Sequence, residues 1–259
     1  MPDELRALPF TSLAALVCAC FVAATVFASS VGFALERALP KKKIFDVPLF
    51  DGQYRFELLG NVLFIAMASV IFPLVLRADV IRFTRGDGLR DALTFAVMVG
   101  AFQVYYWFLH RALHTKALVR FHRWHHRSQV TTPLTGQSVH PVETLGWMVG
   151  YLGLPWALSL VTPLGFWGWV GYVTFNVTGN MTGHSNVEPN VAAAASPVGT
   201  LFANVFVYHA LHHARWNGHY SFQAAGMDRL MGTEWSDWRA LYDRVASGHP
   251  MTSLKDRAT

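Results

Sequence analysis

The chain has 259 residues, 53% of them hydrophobic and only 14% charged, with a formal net charge of +5. Soluble domains carry nearer a quarter of charged residues, so the composition excludes an ordinary soluble globule and points to a membrane protein with one compact domain. Lys and Arg are spread through loops beside apolar runs, which is the pattern of basic membrane loops and not of a nucleic-acid-binding face.

Residues 1–8 are short and slightly acidic. From Pro9 to Leu35 there is no charge, more than the ~20 residues needed to cross a ~30 Å hydrocarbon core. Asp3 and Glu4 stand where a signal peptide carries basic residues, and the apolar run is too long for a signal core, so a retained first span is expected. Cys18 and Cys20 fall inside this run, which indicates neither a disulfide framework nor a zinc knuckle.

Glu36–Arg55 reads as a connector with Pro40, the run Lys41–Lys43, Pro48 and Gly52. The second span is expected over Phe56–Leu76, with Glu57 at its edge and Pro73 near its far end. Residues 77–91 form a turn rich in Arg and Asp around Gly86-Asp87-Gly88. A third span starts near Ala92 and runs without proline into His110. Leu145–Val161 and Leu164–Gly179, split by Pro163, are expected to form a hairpin of two further apolar helices, with Pro155 a candidate kink. The chain from about Met181 is polar to mixed, and Ser247–Thr259 reads as a loosely ordered tail.

The expected fold is therefore all-α, an integral membrane bundle of about 4–5 membrane helices with a cytoplasmic, histidine-rich helical cap. Residues 1–91 would hold the first spans and connectors, 92–235 the histidine-rich catalytic domain, and 236–259 the C-terminal tail. Lys41–Lys43 follow the first span, and Arg111, Lys116, Arg120, Arg123 and Arg127 follow the third, so both basic segments share a face. Arg77, Arg82, Arg85 and Arg90 lie opposite but are diluted by Asp79, Asp87 and Asp91. The positive-inside rule then puts the histidines on the cytoplasmic side. A chain without secretory features suits a bacterial inner membrane or an endoplasmic-reticulum-type membrane, and its compactness favours the former.

The stretch His110–His126, HRALHTKALVRFHRWHH, holds five of the twelve histidines in seventeen residues. His110 and His114 are i and i+4; His122, His125 and His126 are i, i+3 and i+4, and each set is expected to share a helical face. On one continuous helix the five would spread over about 160°, too wide for one site, so a bend is expected between His114 and His122. His209, His212 and His213 in HALHH repeat the second spacing, and His140 in HPVE and His184 in TGHSN stand alone. Neutral imidazole is the commonest nitrogen ligand for a metal, and packing does not require three ligand-spaced sets. A structural zinc needs four ligands; this many histidines fits two metals better. Tyr105, Tyr106 and Trp107, just before the first pair, could line an entrance for a lipid tail, but read better as an interfacial aromatic belt.

In order, HRALH, FHRWHH, HPVE, HSN and HALHH followed by MDRLMGTEW resemble the boxes of the membrane fatty acid hydroxylase superfamily, which includes sterol desaturases and lipid hydroxylases. The resemblance covers roughly residues 95–235. It implies a centre of two iron ions held almost wholly by His, dioxygen as co-substrate, and hydroxylation or desaturation of an unactivated C–H bond in a sterol or fatty-acyl lipid. By position the ligands would be His110, His114, His122, His125, His126, His184, His209, His212 and His213. Asn180 is a candidate tenth, four residues before His184, and His140 stands in the HPxE position with Glu143. Glu143, Glu188, Asp228 and Glu234 are candidates to orient the imidazoles. After the last box the family usually carries an Asn-aromatic-Gly triplet; here His219, Tyr220 and Ser221 take those places. No nucleotide loop or flavin motif occurs, which implies a separate electron donor of cytochrome b5 or ferredoxin type. A zinc-dependent hydrolase would need a glutamate base, and no HExxH is present. A non-catalytic lipid-binding relative would not need intact boxes.

Overall fold

The computed structural model of the protein describes residues 2–84, 87–190, 192 and 194–258. Of the positions singled out above, Arg85, Gly86 and Thr259 lie outside these residues. The described chain is mostly helical. A short turn of helix, α1 (Asp3–Arg6), precedes α2 (Phe10–Ala38), α3 (Gln53–Arg77) and α4 (Gly88–Leu113). These last three are long and apolar enough to cross a membrane, with 29, 25 and 26 residues. Their outward faces remain apolar, with Phe27, Leu58, Val62, Leu74, Leu93 and Phe108 exposed, as lipid-facing side chains must be.

The expected bend is present: α4 stops at Leu113, and a one-turn α5 (Val119–His122) follows. Thr115 makes the corner, its hydroxyl donating to Ala112 O at 2.6 Å and its carbonyl accepting from Val119 N at 2.9 Å. The expected hairpin is α6 (Pro141–Met148) and α7 (Leu154–Ser159) on one arm and α8 (Phe166–Thr182) on the other. Between α6 and α7 the chain widens into a π-turn at Val149–Gly153, next to Pro155, which has no N–H to give a regular helix. Two-residue strands, β1 (Phe83–Thr84) and β2 (Leu164–Gly165), pair in parallel and pin the connectors at the end of the bundle remote from the histidines. The polar half adds α9 (Phe206–Arg215), α10 (Gly226–Met231) and α11 (Trp238–Ala246).

Aromatic rings fill the bundle. Phe102 of α4 packs on Tyr106, Trp147, Tyr151 and Tyr172, joining α4 to α6 and α8. Phe21 of α2 meets Phe64 and Phe72 of α3 edge-on. The reading of Tyr105, Tyr106 and Trp107 as an interfacial belt is corrected here. Tyr106 and Trp107 are buried, Trp107 Nε1 donates to Asp228 Oδ1 at 3.0 Å, and Tyr105 donates to Gly146 O at 2.7 Å. The polar atoms of Tyr105 and Trp107 have protein partners, so they need no water interface.

A second core lies under the histidine end, where Ile44, Phe45, Tyr208, Trp238, Leu241 and Met251 pack together. The reading of the last residues as a loose tail is also corrected. Met251 is fully buried, its N–H donates to Ile44 O at 2.8 Å, and its carbonyl accepts from Asp46 N at 2.8 Å. Arg244 bridges Asp256 at 3.3 Å. The tail closes over the connector between the first two spans.

Helices α4 and α8 approach closely because α8 presents glycine there. A Cβ on Gly168 would collide with Asp91 O, and Gly168 N donates to Asp91 Oδ1 at 2.9 Å. Gly168→Ala is expected to destabilise the protein by about 1–3 kcal/mol, through overpacking against backbone. Gly171→Ala, where the added carbon meets only Phe95 at 3.4 Å, is expected to stay within about 0.5 kcal/mol. Thermal unfolding of the two variants in detergent checks the difference.

Candidate metal centre

The helix ends carry the histidines to one place. His110 and His114 leave the last turn of α4; His122 ends α5; His125 and His126 sit in a 3₁₀ turn; His184 follows the end of α8; His209, His212 and His213 line the inner side of α9. All nine come together in two groups. His110, His114, His122, His126 and His212 form one, and His125, His184, His209 and His213 the other, with the ligand atoms in each group within 4.8 Å of one another. The boxes are split rather than used whole. His122 and His126 join the first group while His125 joins the second, and His209 and His213 join the second while His212 joins the first.

Hydrogen bonds select the ring nitrogen left free. His110 Nδ1 lies 2.7 Å from Tyr220 O, His212 Nδ1 2.7 Å from Gly218 O, and His213 Nδ1 3.0 Å from Ser128 O. His125 Nδ1 lies 3.3 Å from Ser138 O and His184 Nδ1 2.5 Å from Asn180 O. A carbonyl only accepts, so each Nδ1 carries the proton and each Nε2 keeps its lone pair. His122 Nδ1 meets Glu143 Oε2 at 2.8 Å, the carboxylate–histidine pairing common around metals.

Nε2 atoms then face one another. His110 Nε2 and His122 Nε2 are 3.1 Å apart, His126 and His212 Nε2 3.0 Å, and His184 and His209 Nε2 3.0 Å. In the first pair both Nδ1 atoms are donors, so two lone pairs meet with no proton between them. A shared cation resolves this, since neighbouring nitrogens on one ion with bonds of about 2.1 Å stand about 3 Å apart. Moreover, His114 Nε2, His126 Nδ1, His209 Nδ1 and His213 Nε2 are buried with no hydrogen-bond partner among the described residues. Burying such nitrogens costs free energy unless something binds them. The donor set fits two metal ions.

Burial also keeps the rings neutral, the form that binds metal. It pushes His184 down to about 4 and, with His110 and Arg111 nearby, His114 to about 2. His122, His125, His126, His209, His212 and His213 are driven well below the ordinary value, by burial first and by neighbouring imidazoles second.

The other candidates sit around the groups. His140 is half-buried against Phe121 and Trp124 and caps α6, its Nδ1 accepting from Val142 N at 3.1 Å. Asn180 spends its side-chain N–H₂ on Gly136 O at 2.5 Å and meets His184 through its carbonyl. His219 lies flat on Tyr208 at 3.6 Å, with Nδ1 3.0 Å from Tyr208 O and Nε2 accepting from Trp235 N at 2.9 Å. Asp228 is fully buried and accepts from Trp107, Tyr208, Tyr220 N, Ser221 N and Thr233. It thereby fixes the loop whose Tyr220 carbonyl holds His110. Glu188 accepts from Val207 N at 2.8 Å at the start of α9, and Glu234 pairs with Arg229 at 3.1 Å. Sequence reasoning missed the carbonyls of Ser128, Ser138, Gly218 and Tyr220, because a main-chain acceptor leaves no residue-type signal.

Residues 95–233 match the family model described as Fatty acid hydroxylase. The chain belongs to the fatty acid hydroxylase family. All nine clustered histidines of this family member fall inside the matched segment. Among curated proteins it is similar to "Protein CER1-like 2" of Arabidopsis thaliana, 31% identical over 207 residues, which are 76% of this chain and 32% of that protein. It is 28% identical over 169 residues to the "Very-long-chain aldehyde decarbonylase CER1" of the same plant, covering 62% of this chain and 26% of the relative. The rice (Oryza sativa subsp. japonica) "Very-long-chain aldehyde decarbonylase GL1-7" is 33% identical over 155 residues, 56% of this chain and 23% of its own. The chain thus spans about a quarter to a third of the length of these relatives. No solved structure matches it.

The depressed histidines make a pH prediction. Their values in the fold lie below the 6.5 of an open chain, so protonation favours unfolding. Stability of the metal-free protein is fully present above about pH 6.5 and lost as pH falls toward about 4. The melting temperature of chelator-treated protein is expected to drop steadily between about pH 7 and about pH 5. A flat profile would show that the rings are not buried neutral.

Proposed function

We propose that this family member is a membrane-bound oxygenase with two iron ions, which hydroxylates or desaturates an unactivated C–H bond of a sterol or fatty-acyl lipid. The observation that carries the proposal is the meeting of two adjacent, buried, all-histidine groups at one end of three spans. The five-histidine and four-histidine groups would each hold one ion. All-imidazole ligation suits iron, zinc, copper or nickel, and the family favours iron. Bound iron would supply the dioxygen chemistry that an unactivated C–H bond demands.

The chain's own residues do the rest. Glu143 and the five carbonyls hold six of the nine rings, His110, His122, His125, His184, His212 and His213, in the tautomer that offers Nε2. Trp216 stacks on His126 at 4.5 Å and Phe222 on His184 at 5.3 Å, which keeps water from the rings. In hydroxylation one oxygen atom enters the C–H bond and the other leaves as water; two electrons and two protons complete the balance. A cytochrome b5- or ferredoxin-like partner would deliver the electrons, on the cytoplasmic side where the basic residues after α4 gather. The names of the plant relatives add very-long-chain aldehydes to the substrates worth testing.

Elemental analysis of detergent-purified protein beside His125→Ala tests the reading. About two irons per chain are expected in the wild type and about one in the variant, together with dioxygen-dependent conversion of a lipid by the wild type alone. One zinc per chain after iron-supplemented growth would overturn the oxygenase and favour a hydrolase. Folded wild-type protein without metal would leave a lipid-binding relative.

A further inference from the structure

Glu57 lies in the first turns of α3, far in sequence from every histidine, and is fully buried. Its carboxylate accepts four hydrogen bonds: from Gln53 Nε2 at 2.8 Å, Ser128 Oγ at 2.7 Å, Thr132 Oγ1 at 2.5 Å and Thr135 Oγ1 at 2.7 Å. Three of the four donors belong to one segment, residues 128–138. That segment is non-helical apart from a 3₁₀ turn at Pro133–Gln137, which Thr132 and Thr135 close as a capping box. It is also clamped from outside. A Cβ on Gly60, three residues after Glu57, would lie 2.7 Å from Ser138, and one on Gly136 would lie 2.8 Å from Asn180 O. Asn61 donates to Leu134 O at 2.8 Å, and Thr25 of α2 to Gln137 Oε1 at 2.8 Å.

The same segment serves three of the four rings in one histidine group. Ser128 O takes His213 Nδ1, and Ser138 O takes His125 Nδ1. Gly136 O holds the Asn180 side chain, whose own carbonyl takes His184 Nδ1. None of the five-histidine group uses it. Three of those rings, His110, His212 and His122, rest on Tyr220 O, Gly218 O and Glu143, and Tyr220 is fixed by Asp228.

We infer that Glu57 is a positioning residue for the four-histidine metal site alone, acting through residues 128–138, while Asp228 does the corresponding work for the five-histidine site. The centre then has two outer shells, each hung on its own buried carboxylate. This rests on the reading of the histidine groups as two metal sites.

The test is metal release from detergent-purified, iron-loaded protein into a chelator, with metal content measured at each time, for wild type, Glu57→Ala, Glu57→Gln and Asp228→Asn. Loss of an orienting partner typically weakens metal binding by about 10–100-fold. In Glu57→Ala one ion per chain is expected to leave about 10–100-fold faster while the other keeps its wild-type rate. Glu57→Gln, which keeps the shape and one acceptor oxygen, should fall between. Asp228→Asn should speed release of one ion, and adding Glu57→Ala to it should speed both. If Glu57→Ala does not fold, Ser128→Ala, which removes only the link to the His213 acceptor, is expected to speed the same single ion. Equal acceleration of both ions, or of neither, in folded variants overturns the inference. A wild type that binds no metal, or only one ion, instead defeats the two-metal reading on which it stands.

Discussion

The site depends on one constraint: a buried imidazole that leaves one nitrogen free to bind a metal must hand the N–H of its other nitrogen to an acceptor, as six of the nine rings do. Between packed helices at a membrane there is little water to serve, and an unpaired buried N–H is costly. Carbonyls inside an α-helix are already taken by the turn above, so the acceptors must come from loops and from last turns, where carbonyls are free. Ser128, Ser138, Gly218 and Tyr220 are loop residues, and Asn180 lies in the last turn of α8. The histidines consequently cluster where helices end. His110 and His114 close α4, His122 closes α5, and His184 stands just beyond α8.

Loops make poor rulers unless they are themselves held, and two buried carboxylates do the holding. Asp228 takes both N–H groups of the Tyr220–Ser221 link, a nest that no solvated loop would keep. His219, next to that link, has φ of 53°. Left-handed backbone is uncommon for residues other than glycine, and Asn and His are among those that tolerate it. The His in place of the Asn usual in the family is therefore a conformational match. Its ring fills the space over Tyr208, and burial pushes it down to about 4.

The spans, the bend after His114 and the nine clustered histidines were legible because each writes itself in residue type and spacing. The inward turn of Tyr106 and Trp107 was not, since an aromatic run before a polar segment reads the same whether its rings face headgroups or protein. What decided it was Asp228, more than 100 residues away, waiting for the Trp107 N–H. The burial of Met251 was hidden for a similar reason, since its partners are main-chain atoms of Ile44 and Asp46. Glu57 read as a charge at the edge of a span, and its four donors lie in or beside a segment that composition marks only as a polar loop.

The paired histidines were the most legible feature, yet their meaning emerges only in three dimensions. Residues i and i+4 on a helix point nearly the same way, whereas consecutive residues diverge by about 100° on an α-helix and about 120° on a 3₁₀ turn. His110 and His114, His122 and His126, and His209 and His213 are i, i+4 pairs, and each pair stays within one group. His125 and His126 are neighbours that part, as are His212 and His213. A doublet is thus what lets one short segment contribute to both histidine groups at once. FHRWHH gives its pair to the five-histidine group and its single ring to the other, and HALHH does the reverse. The two boxes interlock across both positions, so neither group can form without the segment that builds its neighbour.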